Sequence, residues 1–244
     1  MNANPVISVN NLTQQFGKSV VLDKVDLKVH KGEILGILGP SGSGKTTLVK
    51  AIVGMNSPTE GDITLLDTKI PSLKVISRVG YMAQSDALYE DLSAMDNLLF
   101  FAALYGLKGK AAKVRAEEVL KLTHLYEEQK KPVRNFSGGM KRRLSLAISL
   151  IHEPDVLILD EPTVGIDPVL RQEFWEKFYE LKSTGCTIII TTHVMDEAEK
   201  CDRLALIRGG RITALSSPEE LKKQSNTSTI EGAFLYFGRS KDGE

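Results

Sequence analysis

The chain has 244 residues, enough for one large domain or two small ones around a sizeable core. Lys plus Arg and Asp plus Glu balance at 31 each, so no net field advertises nucleic acid or an anionic membrane surface as a partner. Two cysteines, Cys186 and Cys201, are too few for a disulfide framework, lack a metal spacing, and fit buried thiols in a reducing compartment. Residues 1–5 are polar and show no signal-peptide pattern. The longest apolar run, 98–107, is about half the length that spans a bilayer, so work at a membrane would leave the spanning to something else.

Residues 6–9 read as a strand, and the segment 12–18 follows. Within 20–29, Val25, Leu27 and Val29 alternate with Asp26 and Lys28, the period-two pattern of a strand with one wet face. These pieces predict a small β-rich layer. Phe16 stands in a polar turn between Gln15 and Gly17. A ring there is either a core residue at a strand end or an exposed face on which an adenine stacks.

Residues 33–38 are apolar enough for a buried parallel strand, and 48–53 suit the first turns of a helix. Between them runs Gly39-Pro40-Ser41-Gly42-Ser43-Gly44-Lys45-Thr46-Thr47, which fits G-x-x-x-x-G-K-[ST]. A polyphosphate at a helix N-terminus must be wrapped by backbone N–H groups, and only residues without Cβ let the main chain come that close. Lys45 would reach the β- and γ-phosphates, and the Thr46 hydroxyl would face Mg²⁺. Beyond a turn at 58–62 come a strand at 63–66 and another at 78–82, which delivers Gln84 into the polar stretch 83–86. Taken alone, Gln84 is a solvated loop residue.

From 93 to about 151 the pattern turns helical: Met95, Leu98, Leu99, Ala102 and Ala103, then an amphipathic run of Val114, Glu117, Glu118, Lys121 and Leu122. Near its end Ser137-Gly138-Gly139 precedes a helix, a second place that offers N–H groups and a hydroxyl to an anion. Lys141-Arg142-Arg143 follows in that helix's first turns, where acids would suit the dipole better. The run reads as a solvated face or as a surface for an acidic partner.

Residues 156–159 make a buried strand ending in Asp160 and Glu161, at the sheet edge where parallel folds bind ligands. Two buried acids without a task would be costly. Asp160 suits Mg²⁺, and Glu161 is placed to orient or deprotonate a water. A turn at 165–168 leads to a helix with Phe174, Trp175, Phe178 and Leu181, mostly core. The strand 187–191 again ends in something polar, His193, which at the mouth of such a sheet reads as functional. A hairpin around Gly209-Gly210 and a helix from Pro218 close the pattern, and the tail from Ser225 is weakly patterned.

With these motifs in this order, residues 5–222 resemble the nucleotide-binding subunit of an ATP-binding cassette (ABC) transporter. The resemblance implies an α/β fold: a P-loop NTPase (RecA-like) core, an N-terminal antiparallel β layer, and a helical subdomain inserted at about 86–152. It makes 1–222 the nucleotide-binding domain and 223–244 a short C-terminal extension. It implies that Phe16 stacks on adenine, Gly39 to Thr47 is the Walker A loop, and Gln84 serves both metal and catalysis. Ser137-Gly138-Gly139 lies in the signature, Asp160 ends Walker B, and Glu161 is the catalytic glutamate. Asp167 sits in the D-loop, and His193 is the switch histidine. ATP and Mg²⁺ are the implied ligands. Transmembrane permease subunits and a second cassette, docked head to tail at the cytoplasmic face of the cell membrane, are the implied partners.

Two positions depart from the family pattern. The signature has Phe136 and Met140 where Leu and Gln are usual, and the D-loop reads Gly165-Ile166-Asp167. Met140 followed by Lys-Arg-Arg, and the stretch 229–235, resemble the drug- and lipid-exporter type (ABC-2). A soluble ABC ATPase of DNA repair or translation is the rival, against which stand the single compact cassette and the absence of a coiled-coil insertion. A P-loop kinase would leave Ser137-Gly138-Gly139 and His193 unexplained.

Overall fold

The computed structural model describes residues 5–85 and 87–239; the polar residues 1–4, Asp86 and the last five residues of the tail lie outside the described residues. Two units are resolved, one formed by residues Ile76–Leu181 and the other by the segments on either side of it.

The flanking unit begins with β1 (Ile7–Phe16) and β2 (Ser19–Val29), an antiparallel pair. The sequence suggests two pieces before residue 18, yet β1 is continuous. Ile7 and Val9 are buried, then Leu12 and Gln14, so the inward parity changes across Asn10 and Asn11. There the register with β2 shifts and Asn11 takes φ 46°, the extra residue of a β-bulge. The chain continues through β3 (Ile34–Leu38), buried at every residue, α1 (Lys45–Ile52), β4 (Glu60–Leu65) and the short β5 (Thr68–Lys69). Strands β2, β1, β4 and β5 form one antiparallel sheet in that order. Gly61 faces the bulge at φ 85°; a Cβ there would stand 2.4 Å from the carbonyl oxygens of Asn10 and Asn11.

The Ile76–Leu181 unit holds β6 (Val79–Met82), α2 (Ala94–Leu104), α3 (Gly109–Leu122), α4 (Gly138–Leu150), β7 (Val156–Asp160) and most of α5 (Pro168–Ser183). Strands β6 and β7 run parallel, with Val79 opposite Val156 and Met82 opposite Leu159. Ser93 caps α2 by accepting from the Asp96 N–H at 3.1 Å, the usual device for satisfying an orphan donor of a first turn. Helix α3 corrects the expected amphipathic run: its buried stripe is Ala112, Ala116, Val119 and Leu120, and Val114 is exposed. Small alanines leave little signal on a hydropathy pattern, so the charged face is read more easily than the core face. Phe174, Trp175 and Phe178 of α5 are buried, as expected.

The chain then returns to the flanking unit with β8 (Thr187–Thr192), α6 (Met195–Ala198), β9 (Arg203–Arg208), β10 (Arg211–Ser216), α7 (Pro218–Gln224) and α8 (Ile230–Arg239). β3 lies between β8 and β9, parallel to both, and β10 pairs back onto β9 through the Gly209-Gly210 hairpin. The tail is more ordered than its sequence suggests: α8 buries Ile230 and Ala233 and exposes Leu235 and Tyr236. Among the described residues, no helix is long and apolar enough to cross a membrane.

Gly80 fixes how α4 lies against β6. A Cβ there would stand 2.2 Å from the Ser149 carbonyl oxygen and 2.9 Å from Leu157 Cδ1, so the helix backbone sits directly on the strand. Gly80→Ala should destabilise the protein by about 1–3 kcal/mol through overpacking. Urea unfolding of the two forms measures it.

Candidate nucleotide site

In the flanking unit, β3 runs straight into the Gly39–Thr47 loop. Gly39 sits where a Cβ would lie 2.5 Å from the Ile207 carbonyl and 2.6 Å from Ser43 Oγ. Gly42 and Gly44 adopt φ 78° and 104°. These values turn the loop into α1, whose N-cap is Gly44, with no side-chain cap and no acid in the first turn. The first-turn N–H groups and the helix dipole are thus left for an anion. Lys45 is 5% exposed and donates from Nζ to the carbonyl oxygens of Gly39 at 2.8 Å and Pro40 at 3.1 Å. Ser43 Oγ is buried in the loop without a hydrogen-bond partner. A cradle that a Cβ would fill, an orphaned hydroxyl and a buried ammonium suit a polyphosphate. Pro40 and Ser41 are exposed at the rim, and Thr46 and Thr47 are half-buried.

Strand β8 of the same unit ends beside this loop, where the Gly39 N–H donates to the Thr192 carbonyl at 3.5 Å. His193 follows and is exposed. Thr192 Oγ1 donates to buried Glu197 at 2.6 Å and accepts the Val194 N–H at 3.0 Å. This fixes the backbone on either side of His193. No motif pointed to Thr192 and Glu197.

In the other unit, β6 and β7 bring their carboxyl ends together. Asp160 is fully buried at the end of β7, and Glu161 is half-buried with φ 52°, a left-handed backbone uncommon for a residue with a side chain. Gln84, exposed beyond the end of β6, donates from Nε2 to Glu161 Oε2 at 3.3 Å. The structure therefore joins two residues that lie 77 apart in sequence. Tyr81 lines the same end: burial and the Asp160 charge push its phenol up to about 12, with Arg142 opposing, so it stays un-ionised at neutral pH.

The basic run is neither a solvated face nor a surface for an acidic partner. Arg142 is 6% exposed. Its guanidinium donates to the backbone carbonyls of Ala83 at 2.6 Å, Gln84 at 3.1 Å and Glu161 at 2.8 Å, and to that of Asp160. Lys141 pairs with Glu90 at 2.5 Å, and Arg143 caps the end of the α3 region by donating to the carbonyls of Thr123 and His124. Three cations in the first turns of α4 are tolerated because each has anionic or carbonyl oxygen at hand.

Ser137 is the N-cap of α4, its Oγ accepting the Met140 N–H at 3.2 Å. Gly138 opens onto free space, and Gly139 approaches the Gly165 carbonyl so closely that a Cβ would stand 3.2 Å from it. Asp167 is exposed and accepts the Leu170 N–H at 3.0 Å, capping the start of α5. At the end of β1 in the flanking unit, Phe16 is 49% exposed, which decides against a core role.

A glycine-cradled helix N-terminus after a buried parallel strand defines a P-loop α/β protein. Residues 22–164 match the family model described as ABC transporter. The chain is 41% identical over 246 residues to the "Probable multidrug ABC transporter ATP-binding protein YbhF" of Escherichia coli (strain K12). That alignment takes in 98% of the chain but only 43% of the relative, so the chain spans less than half of that protein. It is 40% identical to the Nod factor export ATP-binding protein I of Ralstonia nicotianae, across 91% of the chain and 70% of the relative. Its fold matches a dimeric ATP-binding cassette in a post-hydrolysis state bound to ADP and Pi, with a TM-score of 0.80 and 25% identity. That match covers 86% of the chain and 98% of the solved one. The chain belongs to the ABC transporter family.

Because the Phe16 ring is half in solvent, Phe16→Ala should cost under about 1 kcal/mol of stability, against the 3–5 kcal/mol of a core phenylalanine. Thermal unfolding of the nucleotide-free protein checks it.

Proposed function

We propose that the chain is the ATP-binding and ATP-hydrolysing subunit of an exporter-type ABC transporter, driving transport through separate transmembrane permease subunits at the cytoplasmic face of the cell membrane. The carrying observation is the Glu161 carboxylate, one residue past buried Asp160 and held by the Gln84 amide at 3.3 Å. Relatives named for multidrug transport and Nod factor export support the outward direction.

Hydrolysis of ATP to ADP and phosphate is positioning plus charge neutralisation. In this reading the loop N–H groups and Lys45 take the phosphates, Lys45 exchanging its carbonyl partners for phosphate oxygens, and Phe16 offers its face to the adenine. Thr46, Asp160 and the amide oxygen of Gln84 would hold Mg²⁺, a set of hard oxygen donors, and the ion supplies charge neutralisation at the phosphate oxygens. Glu161 orients the attacking water and takes its proton, and His193 contacts the γ-phosphate. Two cassettes dock head to tail, so that Ser137, Gly138, Gly139 and Asp167 of one meet the ATP held by the other. Gly138, with open space at its Cα, suits that approach.

Glu161→Gln should keep ATP binding within a few-fold and slow hydrolysis by about 10²-fold or more, since a general base contributes roughly that much. The variant should also elute as an ATP-bound dimer in size-exclusion chromatography. Hydrolysis at the wild-type rate would remove Glu161 from its role.

Head-to-tail pairing makes a sharper test. Lys45→Ala and Gly138→Asp each disable both sites of their own homodimer. A mixed dimer has one site with both defects and one with neither. Random mixing should therefore restore about a quarter of the sites. With mixed dimers demonstrated, no recovered ATPase would count against independent shared sites.

A further inference from the structure

The four carbonyls that Arg142 holds are not an arbitrary set. Those of Ala83 and Gln84 flank the Cα of Gln84, and those of Asp160 and Glu161 flank the Cα of Glu161. A carbonyl before a Cα reports φ and the one after it reports ψ. A single guanidinium therefore fixes both peptide planes around each of the two residues whose side chains meet at 3.3 Å. We propose that Arg142 is a positioning residue for hydrolysis, which locks the main chain carrying Gln84 and Glu161 to the helix that begins at Ser137-Gly138-Gly139. This rests on the hydrolytic role proposed above.

The chemistry suits arginine and little else. Arg presents five N–H donors in a planar fork, whereas Lys offers a compact ammonium. A buried cation must be compensated, and here carbonyl dipoles share in that task. Glu161 is held at φ 52°, a left-handed conformation that carries an energetic cost for a residue with a Cβ. Without a clamp, its peptide planes would relax and re-aim the carboxylate. Arg142 also stands about one helical turn after Ser137. An event at the N-terminus of α4 is thereby transmitted to Glu161 through one rigid side chain.

The test compares wild type, Arg142→Gln and Arg142→Lys, with Glu161→Gln as the hydrolysis-dead control. ATPase kcat and KM, binding of a fluorescent ATP analogue, and melting are measured on each. Hydrogen–deuterium exchange is followed over segments 83–85 and 160–163. Arg142→Gln should lower kcat by about tenfold or more with KM and analogue affinity within about threefold, because a misaimed catalytic group costs rate before it costs binding. Exchange over both segments should rise, and Arg142→Lys should recover only part of the rate. Should Arg142→Gln fail to fold, Arg142→Lys carries the same comparison. Unchanged exchange, or a wild-type kcat in a folded variant, overturns the clamp. A wild type that turns over no faster than Glu161→Gln instead overturns the hydrolytic reading, and the exchange data then judge Arg142 by themselves.

Discussion

The strands that lead to the proposed site residues share one constraint: they are largely apolar and mostly buried, and polar groups gather at or just past their carboxyl ends. β3 and β7 are buried throughout, yet β3 opens into the Gly39 loop and β7 ends on Asp160. β8 ends on Thr192 with His193 next. β6 leads to Gln84 two residues beyond its last. Burial fixes each strand's position, and the polar group at its end inherits that constraint. A carboxylate or an imidazole on a free loop would pay ordering entropy at each turnover. Here much of that ordering comes with the strand that precedes each group.

That constraint explains what the sequence reveals. Runs such as residues 156–159 and 187–191 announce buried strands, and the proposed site residues Asp160 and His193 stand just past them. The phosphate loop, Asp160, Glu161 and His193 stand out as candidates on this ground, and Gln84 through the family motif. Their partnerships do not. Nothing in the spacing tells that Gln84 donates to Glu161, because parallel pairing of β6 and β7 brings them together across 77 residues.

Two features escape the sequence because the partner is backbone, and backbone has no letter in it; a third escapes because its core residues are small. In sequence, Arg142 and its neighbours look like a solvated or acid-facing run, since three cations near a helix N-terminus have no visible counter-charge. Its compensation is carbonyl oxygen. The bulge at Asn10 and Asn11 was invisible for a similar reason. One inserted residue moves the inward positions from odd to even numbers, which looks like a broken alternation until the ladder is seen. In α3 the core face is carried partly by Ala112 and Ala116, too weak in hydropathy to compete with the neighbouring charges.

Glu161 joins these strands of argument. Its left-handed φ of 52° is a local cost. Such strain persists only where the surroundings over-determine it. The described surroundings do so from three directions: β7 fixes the residue before it, Arg142 holds the carbonyls on both sides, and Gln84 grips the carboxylate. Removing any one leaves the others to hold a conformation the residue would not choose. The signature helix, whose N-terminus is proposed to meet a second cassette's ATP, supplies one of the three. On the proposed reading, strain at the Glu161 carboxylate and its dependence on α4 are one design: the geometry for hydrolysis is as firm as the helix that clamps it.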